Sequence, residues 1–240
     1  MDSLYKSNFK MIDKGKIFER IMVIGDVHAP FTSNDCLEAL RKVRQGFKPD
    51  LIIQVGDLMD LKAWSKYGTE PDDLSPQDEF SFAMDVVDKL SRICPDMHLV
   101  MGNHDIRTFR RATFAQLPKQ MLRELSEIFP YKGWKFNLSP NDRVIANTEK
   151  GPVLFLHGDE DGGDAIAKAG RLGVSVVQGH DHKSYFQFIN SLTHTIFGAS
   201  CGCIIDSKGK GFRYAARMNN ASVQGVGLIY RGVYRFEPFI

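Results

Sequence analysis

The sequence lacks long apolar runs, an excess of either charge, and any abundance of cysteine or tryptophan. No apolar run in the 240 residues approaches the roughly 20 that a membrane-spanning helix needs, so we expect no membrane partner. The 31 basic and 29 acidic side chains leave a net charge of only +2, which indicates neither a polyanion-coating protein nor an acidic one. The polar segment 1–16 lacks the apolar core of a signal peptide, and this predicts a cytoplasmic location.

The four cysteines form no complete metal-binding pattern. Cys36 and Cys94 stand alone in apolar surroundings. Cys201 and Cys203 flank one glycine and suit a metal pair, but the sequence has no second cysteine pair to complete a tetrahedral site. Reduced thiols with a packing role are therefore the favoured interpretation.

The hydrophobic pattern predicts an α/β protein with one domain over residues 1–240. The first half alternates strand and helix patterns, and the second half is richer in strands. Helices are predicted at 33–47, from Ser75 onward, at 107–129 with a break near Pro118, and at 163–172. Strands are predicted at 21–24, 51–55, 99–101, 143–147, 153–156, 174–178, 194–197, 225–230 and 233–236, with the last two joined by a tight turn at Arg231-Gly232.

Five short motifs rich in metal-ligand residue types follow predicted strands. They contain five of the seven histidines in the chain. Because α/β proteins place their sites where strands end, we expect these side chains to gather at one edge of a sheet. The motifs are Gly25-Asp26-Val27-His28, Gly56-Asp57-Leu58-Met59-Asp60, Gly102-Asn103-His104-Asp105, Leu156-His157-Gly158-Asp159 and Gly179-His180-Asp181-His182.

The ligand types in these motifs favour two divalent metal ions. A mixture of carboxylate, imidazole and amide oxygen suits Mn²⁺ first, and also Fe²⁺, Zn²⁺ or Ni²⁺, better than Ca²⁺ or Mg²⁺. The carboxylate of Asp57 has two oxygens and can bridge both ions. Two such ions, about 3.5–4 Å apart, can hold a hydroxide between them and polarise a phosphoryl group for in-line attack.

The order and spacing of the five motifs, over residues 25–182, resemble the calcineurin-like metallophosphoesterase superfamily. The resemblance implies two facing mixed β-sheets flanked by helices, in a four-layer α-β-β-α sandwich. It also implies two ligand sets that share one carboxylate. The first metal would be held by Asp26, His28, Asp57 and His182, and the second by Asp57, Asn103, His157 and His180.

The same resemblance implies catalytic roles for two further residues. His104 would not bind metal but would lie beside the substrate phosphate, where it stabilises charge or protonates the leaving oxygen. Asp60 would orient the ring of His104 and raise its basicity.

Two differences from the motifs of the protein phosphatases in this superfamily narrow the substrate class. The protein Ser/Thr phosphatases of this superfamily carry Gly-Asp-x-x-Asp-Arg-Gly, whereas this chain continues from Asp60 with Leu61 and Lys62 and so lacks the phosphate-clamping arginine. They also carry Gly-Asn-His-Glu, whereas this chain has Asp105 in the last position. The Gly-Asn-His-Asp form is similar to that of phosphodiesterases and repair-type nucleases in the superfamily.

The sequence indicates substrate-binding residues less clearly than it indicates metal ligands. Arg107 closely follows His104 and can clamp a phosphate or belong to an ordinary helix surface. The segment 208–214 mixes basic and aromatic residues that suit a nucleic-acid strand, or it is a solvated loop. Trp64 and Tyr67 can stack on a base or pin their loop. Asp159, Asp161 and Asp181 can support the ligands or lie in solvent, while His98 and His194 are interpreted as structural.

These observations predict a phosphoesterase that hydrolyses phosphodiester bonds, with a nucleic acid or nucleotide as the expected partner. A phosphomonoesterase acting on nucleotides or phosphoproteins is the first alternative. A nucleotide-sugar or lipid-precursor pyrophosphatase is the second, although the sequence offers no amphipathic insertion for an acyl groove. The third is an inactive metal-binding scaffold. The oligomeric state stays open.

Overall fold

Two six-stranded β-sheets face each other in the computed structural model, which describes residues 9–65, 71, 73–137, 143–159, 162–190, 194–206 and 222–239. Short 3₁₀ turns lie at Lys62–Trp64 and Lys119–Met121. The first half contains β1 (Phe9–Met11), β2 (Arg20–Ile24), α1 (Asn34–Phe47), β3 (Leu51–Gln54), α2 (Pro76–Ile93), β4 (Asp96–Leu99), α3 (Arg107–Phe114), α4 (Leu125–Ile128) and β5 (Gly133–Phe136). The second half contains β6 (Arg143–Thr148), β7 (Gly151–Leu156), α5 (Ala165–Leu172), β8 (Ser175–Gln178), β9 (Ser184–Asn190), β10 (Thr195–Cys201), β11 (Gly225–Tyr230) and β12 (Val233–Pro238).

Both sheets are mixed. The first has the strand order β12-β11-β2-β3-β4-β5, in which β2 to β5 run parallel and β11 runs antiparallel to both of its neighbours. The second has the order β1-β6-β7-β8-β10-β9, with antiparallel pairing of β6 with β7 and of β10 with β9. The predicted class of two facing mixed sheets flanked by helices is confirmed.

The alternation of side chains along β2 shows how the layers are held together. Ile21 and Val23 point into the core between the two sheets. Met22 and Ile24 point the other way, into a second core that the first sheet shares with α1 and α2. A third, smaller cluster lies between the second sheet and α5. Because consecutive side chains of a strand face opposite sides, a run that is apolar throughout fits a sheet buried on both faces.

Two helices begin where the sequence predicted. The Ser33 hydroxyl accepts a hydrogen bond from the Cys36 backbone N–H at 3.1 Å, and the Ser75 hydroxyl accepts one from Asp78 at 3.1 Å. Each serine satisfies a backbone donor that the first helical turn leaves unpaired. Pro76 follows Ser75 in the first turn, where its missing N–H costs nothing.

Several predicted boundaries were wrong. The strand predicted at 99–101 lies at Asp96–Leu99, because polar Asp96 and His98 alternate with buried Met97 and Leu99 and hide the strand from a search for apolar runs. The helix predicted at 107–129 is reduced to α3, a 3₁₀ turn after Pro118, and the four-residue α4. Strands β1, β5 and β9 were not predicted. Within the described residues, no helix is both long enough and apolar enough to cross a bilayer.

Candidate metal centre

The predicted ligands come together where strands of both sheets end. Asp26 follows β2, Asp57 follows β3 and Asn103 follows β4, all in the first sheet. His157 follows β7 and His180 follows β8, in the second sheet. The expectation of a single sheet edge was therefore wrong, because the facing edges of two sheets supply the cluster.

The first half of the cluster joins a carboxylate to two imidazoles. The His182 Nε2 atom lies 2.9 Å from Asp26 Oδ2 and 3.2 Å from His28 Nε2. The His28 Nε2 atom lies 3.6 Å from the same oxygen of Asp26. The ligand atoms of these three residues lie close enough to surround one cation.

The second half has an amide oxygen and two imidazoles. The His157 Nε2 atom lies 2.9 Å from Asn103 Oδ1 and 3.2 Å from His180 Nδ1. The other ring nitrogen of His157 hydrogen-bonds to the Val55 carbonyl at 2.9 Å. That bond fixes the ring so that Nε2 faces the cluster, as the partners of metal-bound histidines usually do.

Asp57 lies between the two halves. Its Oδ2 is 3.5 Å from His28 Nε2 and 3.3 Å from His157 Nε2, while its Oδ1 accepts a hydrogen bond from the His104 backbone at 2.8 Å. Burial alone raises the pKa of this carboxyl, but the charge of His157 and its hydrogen bond outweigh burial and hold the pKa well below the ordinary value. Asp57 is therefore an anion with one oxygen turned toward both halves.

Asp60 contacts two histidines, whereas the sequence pointed only to His104. Its Oδ1 lies 2.7 Å from His28 Nδ1 and 3.0 Å from His104 Nδ1, and its backbone carbonyl lies 2.8 Å from the same His104 nitrogen. Burial raises the pKa of Asp60, but hydrogen bonds from both rings lower it well below the ordinary value. One buried carboxylate thus orients a predicted ligand and the predicted acid together.

Arg107 lies directly beside His104. Its Nη1 donates to the Asp60 carbonyl at 2.7 Å, and its Nη2 is 2.9 Å from His104 Nε2. A guanidinium only donates hydrogen bonds, so His104 Nε2 is the acceptor here and Nδ1 carries the proton toward Asp60. His104 is also grouped with His28 and Asp57 by distance, although its Nε2 lies as far as 3.9 Å from Asp57 Oδ2.

Four of the predicted ligands have left-handed backbones. The φ angles are +46° at His28, +55° at Asp57, +71° at His180 and +56° at His182. Residues other than glycine rarely adopt this conformation, and strain of this kind concentrates at functional sites. The turns after three strands, β2, β3 and β8, therefore aim side chains at a common point at some cost in stability.

Two motif glycines are required by close approach. A Cβ atom on Gly102 would lie 2.1 Å from Asp57 Oδ1, and one on Gly179 would lie 2.4 Å from Asp26 Oδ1. Any larger residue at either position would displace a predicted metal ligand. The glycine before each ligand thus lets the carboxylate rest against the neighbouring backbone.

The charges of the cluster fit a pair of divalent cations. Burial lowers the pKa of His28 and His157, yet Asp26 and Asp60 raise that of His28 to about 10 and Asp57 raises that of His157 to about 10. Protons on imidazoles therefore balance the buried carboxylates of the metal-free protein. Two pairs of imidazole nitrogens, each 3.2 Å apart, converge in the same space. This donor set suits borderline divalent ions, which would take the place of those protons.

Metal binding is expected to release protons at neutral pH, because His28 and His157 must be neutral to act as ligands. The apparent affinity for Mn²⁺ should rise between about pH 6 and 9 as competition from protons falls. Calorimetric titration of the metal-free protein with Mn²⁺, in two buffers of different ionisation enthalpy, measures the number of protons released. Heats that do not depend on the buffer would contradict this charge balance.

Sequence reasoning missed Asp105 as a residue that shapes the site. Its two oxygens accept hydrogen bonds from Met59 N–H at 3.1 Å and Gly102 N–H at 2.9 Å, and so join two motif loops. Burial and the nearby charge of Asp57 raise the pKa of Asp105 to about 6. Its place as the last residue of the Gly-Asn-His-Asp motif was the available signal.

Lys168 of α5 was also missed. It is fully buried, and its Nζ donates to the carbonyl of Gly158 at 2.8 Å and to Gln178 Oε1 at 3.0 Å. These contacts tie the loop after His157 to the end of β8. The signal was a single lysine among the small apolar residues of that helix.

The remaining predicted residues are not among the described side chains that group as ligands. Trp64 packs partly buried against the apolar core, which fits the loop-pinning role. Asp181 accepts hydrogen bonds from the Ser200 hydroxyl and from the Lys183 N–H, and so shapes the loop between two ligands. Asp159 is exposed. All four cysteines are free and buried, as predicted. Tyr67, Asp161 and the segment 208–214 lie outside the described residues.

A sandwich of two mixed sheets, with carboxylate, imidazole and amide side chains converging where its strands end, defines the metallophosphoesterase class of fold. Residues 19–193, well over half of the chain, match the family described as calcineurin-like phosphoesterase. The chain therefore belongs to the calcineurin-like phosphoesterase family.

Solved structures with a similar fold include YfcE, a phosphoesterase from E. coli, at 14% identity over 92% of this chain and 93% of that one, with a TM-score of 0.47. Vacuolar protein sorting 29 from Cryptosporidium parvum is 13% identical over 92% of this chain and 97% of that one, with a TM-score of 0.47. Vps29 from Chaetomium thermophilum is 18% identical over 88% and 80%, with a TM-score of 0.43. A comparison with curated proteins gives no match.

Proposed function

We propose that this chain hydrolyses phosphodiester bonds in a nucleic acid or nucleotide, using two divalent metal ions, with Mn²⁺ as the favoured ion. The proposal depends chiefly on the surroundings of His104, which stands next to the predicted ligands with Arg107 at its Nε2 atom. Membership of the phosphoesterase family supplies the coarser reaction, and the residues around Asp60 support the preference for a diester.

The position after Asp60 favours a diester over a monoester. Protein phosphatases of the superfamily have an arginine there, suited to the extra charge of a monoester. Here Leu61 is buried in the apolar core, and the ammonium of Lys62 pairs with Asp73. Neither side chain is available to clamp a doubly charged phosphate, whereas a diester carries a single negative charge.

The predicted ligand sets described above would hold the two cations. When bound, such ions polarise a phosphoryl group and lower the pKa of water. Asp57 faces both halves and sets their spacing, and the Val55 carbonyl orients the ring of His157. Burial of Asp26 and Asp57 keeps water from screening their charges.

His104 and Arg107 would act on the substrate. Nδ1 of His104 is held by Asp60, so Nε2 is the atom that faces the phosphate, and it can pass a proton to the leaving oxygen once the ring has taken up a proton there in place of its bond to Arg107. Arg107 holds that nitrogen in the present arrangement. A phosphate oxygen would replace His104 as its acceptor, since guanidinium groups bind phosphate through paired hydrogen bonds.

The purified, Mn²⁺-loaded protein is expected to hydrolyse bis-p-nitrophenyl phosphate faster than p-nitrophenyl phosphate. The measurement compares kcat/KM for the two esters, with metal-stripped protein as the control. A preference for the diester supports a phosphodiesterase and leads to tests with oligonucleotides and nucleotides. A preference for the monoester contradicts the proposal and favours a phosphatase, while inactivity toward both favours a metal-binding scaffold.

A further inference from the structure

Within the described residues, the outer edge of β9 is an unprotected strand edge. This strand ends the second sheet, and no strand pairs with its outer side in the part of the chain that the structure describes. Proteins protect such edges with charges, prolines or bulges. The sequence of β9, Ser-Tyr-Phe-Gln-Phe-Ile-Asn, has no charge and no proline, and its seven residues pair with β10 without a bulge.

The direction of the free backbone groups follows from the pairing with β10. Gly202 donates its N–H to the Lys183 carbonyl, which makes these two residues a hydrogen-bonded pair of the antiparallel ladder. Such pairs alternate along the ladder. Gln187 therefore turns its N–H and C=O toward β10, and Phe186 and Phe188 turn theirs outward.

The same edge exposes aromatic surface. Phe186 and Phe188 are 46% and 45% exposed, and their rings are 5.9 Å apart. Phe186 also packs against the buried ring of Tyr234 at 5.6 Å, so the pair is anchored to the core of the molecule. On the opposite face, Tyr185 accepts a hydrogen bond from the Ala165 N–H of α5 at 3.2 Å.

We propose that β9 pairs antiparallel with β9 of a second copy of this chain, about a two-fold axis at Gln187. In this register Phe186 of one copy lies opposite Phe188 of the other, and the outward N–H and C=O groups of both residues are satisfied. Tyr185 lies opposite Ile189 on the other face. The sequence around Gln187 is self-complementary in this way and has no charge that would select a different, oppositely charged partner.

A disulfide tests the register directly. In a non-hydrogen-bonded antiparallel pair the Cα atoms are about 4.5 Å apart, within the range of roughly 4.4–6.8 Å that a disulfide spans. The Gln187→Cys variant should therefore form a covalent dimer under mild oxidation, seen on a non-reducing gel. The four native cysteines are buried and should not interfere.

The matched control is Asn190→Cys, which is equally at the surface of β9. Its two copies would lie about 20 Å apart in the proposed register, from a rise of about 3.4 Å per residue, and should not cross-link. Cross-linking of both variants to the same extent would indicate random collision. Failure of Gln187→Cys to cross-link would overturn the register.

The mass in solution tests the interface itself. Light scattering should give twice the 27.1 kDa chain mass for the wild-type protein. The Phe188→Lys variant should return to the single-chain mass, because it adds like charges and removes an aromatic pair. Phe9→Lys, at the other edge of the same sheet and 54% exposed in the wild type, should stay dimeric. A monomeric wild-type protein, or a dimer that survives Phe188→Lys with an unchanged circular dichroism spectrum, overturns the proposal.

Discussion

Replacing Asp57 with asparagine is expected to empty both halves of the metal centre and to reduce turnover to background. The amide keeps the size of the side chain and one oxygen, which can still accept the hydrogen bond from the His104 backbone. It loses the negative charge and turns an NH₂ group toward His28 or His157, where it cannot bind a cation. The loss of metal affinity should exceed the roughly 10–100-fold that follows removal of an outer partner of a ligand.

Metal content per chain, measured by elemental analysis after dialysis, checks this result. Two variants serve as matched controls. Asp26→Asn removes a charge from the first half while its amide oxygen can still accept the His180 backbone N–H, and Asn103→Ala removes a ligand of the second half. Each should keep one ion where Asp57→Asn keeps none. If Asp57→Asn retains one ion at full occupancy, Asp57 does not serve both halves. Circular dichroism and the melting temperature exclude loss of the fold as the cause.

Much of the fold could be predicted from the sequence, because the central strands are apolar on both faces and a glycine follows each of them within two residues. Strands β2, β3, β7 and β8 were predicted within two residues, and each is followed by one of the motifs. Helix starts were predicted at Ser33 and Ser75 because a serine cap depends on local backbone chemistry alone.

Strands that combine exposed and buried side chains could not be predicted from the sequence in the same way. The edge strands β1 and β9 have exposed aromatic side chains, and β5 is a four-residue strand with half-buried ends. In such strands, contacts with residues distant in sequence decide which side chains are buried. The periodicity of the sequence alone therefore does not identify the strand.

The geometry of the site was only partly accessible from the sequence. Motif order predicted which residues would gather, but it could not show that two sheets supply them. Nor could it show that Asp60 reaches His28 as well as His104, because the two contacts span 32 and 44 residues. Lys168 is a surface residue by type, and its burial depends on acceptors offered by Gly158 and Gln178.

Replacing His104 with alanine is expected to leave the metal content unchanged and to lower kcat by roughly 10²–10⁴, the range typical of a lost general acid or charge stabiliser. His104 Nε2 lies 3.9 Å from Asp57 Oδ2, farther than the ring nitrogens of His28 and His157. Its Nδ1 is held by Asp60, as suits a residue oriented toward substrate. Elemental analysis checks the metal content, and steady-state kinetics on bis-p-nitrophenyl phosphate checks kcat.

The leaving group separates the two roles of His104. p-Nitrophenolate leaves readily without being protonated, whereas the alkoxide on the sugar ring of a nucleotide does not. A general acid therefore predicts a larger penalty for His104→Ala on a dinucleotide than on the aryl ester, while a charge stabiliser predicts equal penalties. Added imidazole should restore part of the activity if the missing ring acts on the substrate. Equal loss of metal from His104→Ala and Asp57→Asn would instead make His104 a ligand, and the division between ligands and acid would be wrong.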